Sequence, residues 1–162
     1  MTKVKIINKS NNKLPEYATT GSAGFDIRAN IVEQDDDGEY STALHPRQRK
    51  AISTGLYFEL PEGTQLEIRP RSGMALNHGI TVLNSPGTID HDFRGAVQII
   101  LINHSDNIFI IKDGDRIAQG VLMKYERAEF AEFDSPGRHR ETRRHRISDQ
   151  GKQQPTGDCG FQ

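Results

Sequence analysis

Short apolar runs separated by turn-forming residues recur along the first 133 residues of the chain. Nine such runs can be distinguished: residues 4–7, 27–32, 51–58, 66–68, 80–83, 97–102, 108–111, 117–123 and 130–133. Gly, Pro, Asn and Asp occupy many of the positions between them. Many short strands at a spacing of roughly 8–12 residues are typical of an all-β sandwich or barrel. The pattern therefore predicts an all-β fold.

Two segments depart from this pattern. Residues 72–77 predict one short helix, with Ser72 as its N-cap and Gly79 as its terminator. The run at residues 97–102 is almost continuously aliphatic, which fits a strand buried on both faces. Such a strand lies either at a subunit interface or inside a single sandwich, and the residues alone favour neither.

Charge is distributed unevenly along the 162 residues. With 21 Lys/Arg and 22 Asp/Glu the formal net charge is −1, so the chain as a whole has no general attraction for nucleic acid or a membrane. Residues 135–162, however, hold six Lys/Arg against three Asp/Glu, which leaves a charge of −4 for residues 1–134. Residues 135–162 also have only three sizeable apolar side chains. We therefore predict a β domain over residues 1–134 and a basic, polar, disordered tail over residues 135–162.

Composition excludes several classes of protein. Cys159 is the single cysteine, so no disulfide can form within the chain, and a reducing compartment is favoured. One Cys and scattered His cannot build a structural zinc site. The first residues are too polar for a signal peptide, and no apolar run approaches the ~20 residues that span a bilayer. We expect a soluble, cytoplasmic protein.

The first candidate for chemistry is RPRSG at residues 69–73, where a predicted strand gives way to the helix. Arg71 can pair with phosphate oxygens, the Ser72 hydroxyl can donate a hydrogen bond, and Gly73 permits close backbone approach. Free backbone N–H groups at a helix start also favour phosphate. The alternative is an ordinary Ser N-cap beside a surface arginine, which the local pattern by itself favours.

The second candidate is NSPGTIDHDFRG at residues 84–95, which predicts a tight hairpin. Asp90 could activate a water molecule as a general base, and the Phe93 ring could lie against a sugar or a base. The Asn84 amide offers both a donor and an acceptor with which to read a base edge. The alternative is a solvated acidic turn. A metal site made of Asp90 and its two neighbours is not favoured, because adjacent strand residues point to opposite faces.

Two further segments carry weaker signals. DGDRIAQ at residues 113–119 leads from a turn into a strand, and a buried Gln119 needs partners that a bound polyphosphate could supply. Asp115 and Arg116 in that segment are expected to form a structural ion pair. AGFDIRA at residues 23–29 predicts a strand with its charged residues on one face and its Phe and Ile on the other.

Taken in order, these four segments resemble the first four motifs of the trimeric dUTPase family, the dUTP pyrophosphatases. The family patterns are A-G-[FY]-D-[IL]-R-A, P-R-S-G, G-x-I-D-x-D-[YF]-R-G and G-D-R-I-A-Q. The chain matches them at residues 23–29, 70–73, 87–95 and 114–119. Because four motifs occur in the family's order, the resemblance is specific, and it covers most of the chain, from about residue 3 to residue 133.

The resemblance implies a phosphate-binding region. Arg71, Ser72 and Gly73 match the family's phosphate-binding turn, and Gln119 matches a contact to phosphate and water. Asp26 matches a position near Mg²⁺ and its water shell. The implied Mg²⁺ is bound chiefly by the three phosphates of the substrate, which is consistent with the lack of a metal-ligand cluster in the sequence.

The resemblance also implies a nucleoside-binding and catalytic region. Asn84 matches the residue that reads uracil, and Thr88 and Ile89 match the pocket that is too narrow for the methyl group of thymine. Asp90 matches the catalytic carboxylate, which holds the attacking water and meets the sugar 3′-OH. Phe93 stands where the family usually has Tyr, so the ring still excludes a 2′-OH but loses one hydrogen bond.

The implied reaction is attack of water on the α-phosphorus of dUTP, which gives dUMP and pyrophosphate. This reaction limits uracil in DNA and supplies dUMP for thymidylate synthesis. The family fold is a distorted jelly-roll-like β-barrel with one short helix, assembled as a homotrimer with three active sites between subunits. Such a trimer would explain the aliphatic run at residues 97–102.

Two other functions compete with this one. The dCTP deaminases have a similar fold but need a catalytic Glu in the strand after the third motif, where residues 95–101 contain Gln98 and no Glu. Gln98 instead matches a further substrate contact of the dUTPases. The other competitor is a catalytically impaired dUTP-binding or regulatory protein that acts through its basic tail, and the presence of Asp90 and Gln119 argues against it.

The family's fifth motif, approximately R-G-x-G-G-F-G-S-T-G, has no match in this chain. In the family this Gly-rich tail closes over the nucleotide, with its Phe on uracil and its Arg on the γ-phosphate. Residues 136–146 read PGRHRETRRHR instead. One interpretation is a divergent, disordered tail whose arginines still meet the phosphates, and another is a segment that binds an acidic partner.

We favour a third interpretation, a frameshift. Codons allowed for residues 136–147, read one nucleotide later, can spell LDDTERRGGTGF, which is close to a normal approach into the fifth motif. The DNA sequence across these codons decides between the interpretations. Without the closing motif, turnover is expected to fall more than nucleotide binding, because water exclusion and γ-phosphate capture are both impaired.

Overall fold

The computed structural model describes residues 2–133, which form eleven β-strands and one α-helix. The first six strands are β1 (Lys5–Asn8), β2 (Phe25–Arg28), β3 (Ser41–Leu44), β4 (Arg49–Ser53), β5 (Leu56–Glu59) and β6 (Thr64–Arg69). They are followed by α1 (Ser72–His78), β7 (Ile80–Val82), β8 (Gly87–Ile89), β9 (Gln98–Asn103), β10 (Phe109–Lys112) and β11 (Arg116–Lys124). The prediction of an all-β fold with one short helix is confirmed.

The strands form four antiparallel sheets. The largest has the order β2–β11–β6–β8, and a three-stranded sheet has the order β4–β9–β7. Two-stranded sheets pair β1 with β5 and β3 with β10. Most neighbours in these sheets are distant in sequence, so the chain passes repeatedly from one sheet to another. Met1–Arg127 belong to one compact unit. The predicted boundary at residue 134 and the tail beyond it lie outside the described residues.

The core is made of the inward-facing residues of the strands. In β6 buried and half-buried residues alternate without interruption, because successive strand residues point to opposite faces. The largest fully buried aliphatic side chains are Ile27, Leu44, Leu66, Ile80, Ile99, Leu101, Ile111 and Ile117. They come from seven strands that belong to three of the sheets. Buried Leu56 and Phe58 of β5 join the same cluster, so the core ties all four sheets to one another.

Three strand predictions need correction. Residues 51–58 do not form one strand: Gly55 adopts a left-handed conformation with φ of 67°, and it separates β4 from β5. Residues 130–133 form no strand, and the Phe130 side chain is 94% exposed. In the run at residues 27–32 the strand ends at Arg28. Strand β3 is not among the predicted strands, because its sequence, STAL, contains no apolar run of the kind on which the prediction rests.

The helix occurs where it is predicted, but its first residues differ from the prediction. Ser72 is the first helical residue, and Arg71 occupies the N-cap position without a side-chain capping bond. The Ser72 hydroxyl is therefore not used as a cap. Gly79 ends the helix as predicted, with φ of 67° and its N–H donating to the Ala75 carbonyl at 3.1 Å. Of the described residues, none belongs to a helix long and apolar enough to cross a membrane.

The aliphatic run at residues 97–102 supplies most of β9. Ile99 and Leu101 are completely buried in the core, whereas Ile100 and Ile102 lie on the opposite face and are half-buried. On that outer face Ile100 is paired with Ala51 of β4. The outer face of the three-stranded sheet is therefore partly apolar around Ile100.

Candidate active site

Three of the four sequence motifs meet in one polar cleft. It lies at the end of the large sheet where β6 leads into α1, beside β2 and β11. The residues that line it are Ala18, Ser22, Gly24, Asp26, Arg71, Ser72, Gly73, Arg116 and Gln119. The structure thus brings together Asp26, Gln119 and the whole Arg71–Ser72–Gly73 turn, which are the residues that the resemblance assigns to phosphate and its metal.

Strand register explains this convergence. Gln119 of β11 is paired with Asp26 on one side and with Arg69 on the other. Residues directly opposite each other in antiparallel strands project from the same face, so these three side chains form a row across the sheet. The Gln119 side chain is held in place because its Nε2 donates a hydrogen bond to the Pro70 carbonyl at 3.0 Å.

Two arginines hold Asp26. Arg71 Nε lies 3.0 Å from Asp26 Oδ1, and Arg116 donates from a terminal nitrogen to Oδ2 at 3.2 Å. The predicted ion pair between Asp115 and Arg116 is therefore wrong. Asp115 instead accepts a hydrogen bond from the backbone N–H of Lys112 at 2.8 Å. Two guanidinium groups around one carboxylate leave a surplus positive charge in the cleft, which suits a phosphate-bearing ligand.

The segment at residues 84–95 does not form the predicted hairpin. Its strand, β8, pairs with β6 and forms the far edge of the large sheet. A turn follows, in which the Phe93 N–H donates to the Asp90 carbonyl at 3.2 Å. Asn84, Thr88 and Asp90 are exposed, and Ile89 is half-buried. The alternative of a solvated acidic turn thus describes the environment of Asp90 in the single chain.

The Phe93 ring folds back over Gly95. A Cβ atom at residue 95 would lie 2.6 Å from Phe93 Cζ, so only glycine leaves room for this ring position. Arg94 braces the same turn, since its guanidinium donates to the carbonyls of His91 at 2.7 Å and Phe93 at 3.1 Å. The ring remains 40% exposed and is available to a ligand.

Within one chain the Asp90 carboxylate and the cleft lie at opposite ends of β6. Leu66 is paired with Ile89, which puts Asp90 beside the start of β6, whereas Arg71 follows its end. The extended segment from Gln65 to Arg71 spans roughly 20 Å at about 3.3 Å per residue. The third motif therefore does not line the cleft of its own chain.

Four residues of the cleft are not among the predicted site residues: Ala18, Ser22, Gly24 and Arg116. Ala18 and Ser22 come from the loop before β2, and no chemical pattern in that loop distinguishes them. The sequence predicts an ion pair between Arg116 and its neighbour Asp115, although the position of this arginine inside the fourth motif is also a signal for the site. Gln98 lies apart from the cleft, as an exposed first residue of β9 paired with Ser53.

Comparisons of sequence identify the family. A protein-family model described as dUTPase matches residues 10–148. A deoxyuridine 5′-triphosphate nucleotidohydrolase of Cytophaga hutchinsonii is 53% identical over 133 residues, which cover 82% of each chain. The chain belongs to the dUTPase family. The resemblance of the four motifs is thereby confirmed.

Solved dUTPase structures share the fold. The dUTPase of Staphylococcus bacteriophage 80alpha, solved with dUPNHPP, superposes with a TM-score of 0.74 at 21% identity over 87% of this chain and 94% of its own. A mutant dUTPase from phage phi11 of S. aureus, reported to coordinate a structural Mg(II) ion, gives a TM-score of 0.72 at 18% identity over 84% of this chain and 99% of its own. The jelly-roll prediction is confirmed.

Proposed function

We propose that this member of the dUTPase family hydrolyses dUTP to dUMP and pyrophosphate, by attack of water on the α-phosphorus. The observation that carries the proposal is the cleft in which Arg71 and Arg116 flank the single Asp26 carboxylate. The name of the Cytophaga relative, a deoxyuridine 5′-triphosphate nucleotidohydrolase, supports the same substrate. The reaction would limit uracil in DNA and supply dUMP for thymidylate synthesis, in the cytoplasm.

The cleft is proposed to bind the phosphates. The Arg71 and Arg116 guanidinium groups can turn from Asp26 to phosphate oxygens, where each makes charge-assisted hydrogen bonds. The exposed Ser72 hydroxyl is free to donate to a phosphate oxygen, because it makes no capping bond. Gly73 has open space around its Cα, so the backbone can approach the ligand closely.

The segment from Asn84 to Phe93 is proposed to bind the nucleoside and to supply the catalytic carboxylate. Asp90 is exposed and can orient and deprotonate a water molecule, while the Phe93 ring packs on the deoxyribose. The Asn84 amide reads the uracil edge, and Thr88 and Ile89 shape the pocket around it. Gln98, at the start of the next strand, is an additional contact.

The two halves of the site are proposed to come from different subunits of a homotrimer. One dUTP molecule cannot contact the cleft and Asp90 of a single chain, because the two lie roughly 20 Å apart along β6. Cyclic association of identical chains places the Asp90 turn of one copy against the cleft of the next. The partly apolar outer face of β9 around Ile100 is a surface that such an assembly would cover.

Magnesium is proposed as the cofactor, bound through the substrate. Among the described residues that line the cleft, Asp26 is the single carboxylate, and residues 2–133 contain no cluster of three or more potential metal ligands. This donor set fits Mg²⁺, which keeps several waters and often uses one carboxylate together with substrate phosphates. Asp26 would hold water molecules of the ion. When bound, the ion neutralises charge that develops on the phosphates.

A direct assay tests this function. Purified full-length protein is incubated with dUTP and Mg²⁺, and pyrophosphate release is measured, with dTTP and dCTP as parallel substrates. We expect release from dUTP and little from the other two nucleotides. Binding of dUTP without any hydrolysis would favour the regulatory alternative, and hydrolysis of dTTP at the same rate would contradict the proposed nucleobase pocket.

A further inference from the structure

A hydrogen bond links the turn after β8 to the end of β11. The Tyr125 hydroxyl lies 3.0 Å from His91 Nδ1, and both side chains are half-buried. Their rings also pack against each other, with centroids 6.4 Å apart and an interplanar angle of 34°. His91 directly follows Asp90, the proposed catalytic carboxylate, so this contact lies one residue from the reacting group.

Tyr125 is itself fixed to the sheet. It directly follows β11, the strand that pairs with both β2 and β6. Its backbone N–H donates to the Gly63 carbonyl at 3.2 Å, which ties it to the turn before β6. The hydroxyl therefore extends from a well-anchored backbone toward an otherwise exposed turn.

The other hydrogen bonds of the Asp90 turn do not anchor it to the rest of the fold. The Phe93 N–H bonds the Asp90 carbonyl, and the Arg94 guanidinium bonds two carbonyls of the same turn. These bonds shape the turn internally. Within residues 2–133, the side-chain hydrogen bond that joins this turn to a distant part of the chain is the one between His91 and Tyr125, the residue after β11.

We infer that Tyr125 is a positioning residue for the catalytic turn, acting through the His91 imidazole. The inference rests on the proposed function, in which Asp90 orients the attacking water. A small displacement of that carboxylate lowers the rate of reaction far more than it weakens binding of the nucleotide, because attack needs tighter geometry than binding does. The family's motif leaves the position of His91 variable, so this connection is a property of the chain's own residues.

Removal of the hydroxyl alone tests the inference. We expect Tyr125→Phe to lower kcat for dUTP about three- to tenfold, with KM changed less than about twofold, because substrate contacts remain while the water is held less well. His91→Phe, which keeps a ring but removes the nitrogen that bonds Tyr125, should give the same loss. The double variant should be no worse than either single variant, since both remove one interaction.

A conservative variant and a control complete the experiment. His91→Asn retains a polar atom near the position of Nδ1, and its amide can donate or accept a hydrogen bond, so it should recover most of kcat. Tyr40→Phe removes the hydroxyl of an exposed tyrosine away from this turn and should leave kcat unchanged. Additive losses in the double variant of Tyr125 and His91, or a wild-type kcat in Tyr125→Phe, would overturn the inference.

A readout independent of activity separates this inference from the proposed function. Amide hydrogen exchange of residues 90–93 should be faster in Tyr125→Phe than in the wild-type protein, because the turn has lost its link to β11. Faster exchange in a protein that never hydrolyses dUTP would refute the proposed function and still support the role of the bond between Tyr125 and His91 in holding the turn. Unchanged exchange in an active protein would refute only the inference that Tyr125 positions the turn.

Discussion

At the scale of single residues, the position of the Gln119 side chain depends on the absence of a side chain at residue 24. A Cβ atom on Gly24 would lie 2.6 Å from Gln119 Oε1 and 3.4 Å from a methyl carbon of Val121. The Gln119 amide would have to move, and moving would break the hydrogen bond that its Nε2 donates to the Pro70 carbonyl. Gly24 of the first motif therefore leaves the space that the Gln119 side chain of the fourth motif occupies.

Gly24→Ala is expected to lower kcat/KM for dUTP about tenfold, which corresponds to ~1.4 kcal/mol of transition-state stabilisation. The added methyl group displaces the Gln119 amide from the proposed phosphate site. Steady-state hydrolysis of dUTP measures the effect. Gly21→Ala in the same loop is the matched control, because a Cβ atom there meets nothing within 4 Å. Equal losses in the two variants would contradict this explanation.

The place of a site residue can be predicted from sequence where the motif is continuous along the chain. Its contacts cannot be predicted where the contacting residue is distant in sequence. The Arg71–Ser72–Gly73 turn lines the cleft as the pattern indicates. The sequence predicts the wrong partner for Arg116, because Asp115 offers a carboxylate next to it in sequence, whereas Asp26 is 90 residues away. Strand register, rather than proximity along the chain, brings that pair together.

At the scale of elements, β11 is the strand that organises the cleft. It lies between β2 and β6 and carries both Arg116 and Gln119. Gly120 in its middle provides room for the Phe25 ring of β2, since a Cβ atom there would lie 2.7 Å from Phe25 Cε2. The same site is 3.1 Å from Leu66 Cδ1, so the core has no free volume at this point.

Gly120→Ala should reduce the free energy of unfolding by about 1–3 kcal/mol, because the methyl group overpacks the core against an aromatic ring. Urea unfolding at a fixed protein concentration measures the change. Gly21→Ala, in open space, is again the control and should differ little from the wild-type protein. An unchanged midpoint for Gly120→Ala would show that β2 and β11 are less tightly packed than described.

The loop between β2 and β3 offers a test by pH. The Ser41 hydroxyl donates a hydrogen bond to Asp35, and the Glu39 N–H donates a second one, so the pKa of Asp35 lies below its ordinary value. A lowered pKa in the folded state stabilises the fold above the pKa of the unfolded chain. That contribution is lost as the pH falls through the folded-state pKa.

Ser41→Ala should raise the pKa of Asp35 toward its ordinary value, because the largest cause of the shift is removed. NMR titration of the Asp35 carboxyl carbon measures it directly. The difference in stability between variant and wild-type protein should be present at neutral pH and vanish in strong acid. A pKa that stays low in the variant would assign the shift to the backbone N–H groups instead.

The sequence predicts a helix or strand correctly where apolar residues recur periodically. It fails where the backbone conformation of a single residue determines where a strand ends. Strand β6 and the end of α1 at Gly79 follow directly from alternation and from a terminating glycine. The apolar pattern does not predict the break at Gly55, because apolar residues continue on both sides of its left-handed conformation. Strand β8 has only three residues, GTI, and its pairing with β6 cannot be deduced from so short a sequence.

At the scale of the whole molecule, the chain belongs to the dUTPase family and its sequence lacks the family's fifth motif. Residues 10–148 match the family model, while the proposed fifth-motif frameshift falls at residues 136–147, outside the described part of the chain. In the family, the fifth motif closes over the nucleotide, excludes water and captures the γ-phosphate. The chemical step is expected to depend on both, whereas binding of dUTP also uses the proposed phosphate cleft and the proposed nucleobase pocket.

A chain whose residues after 134 are replaced by a tail ending in a normal fifth motif should therefore turn over dUTP faster than this chain. We expect kcat to rise by more than about tenfold, with a smaller change in the Kd of a non-hydrolysable dUTP analogue. Pyrophosphate release and calorimetric titration give the two quantities. Equal kcat values for the two tails would contradict the argument that closure matters here.

The central claim is that the cleft of one chain and Asp90 of another form one site for dUTP. Its most direct test mixes two inactive variants, Arg71→Ala and Asp90→Asn, each expected to lose at least about 100-fold in kcat. In randomly mixed trimers about a quarter of the sites combine an intact cleft with an intact Asp90. Co-expressed variants should therefore recover about a quarter of the wild-type rate of dUTP hydrolysis, whereas a mixture no more active than its components would contradict the shared site.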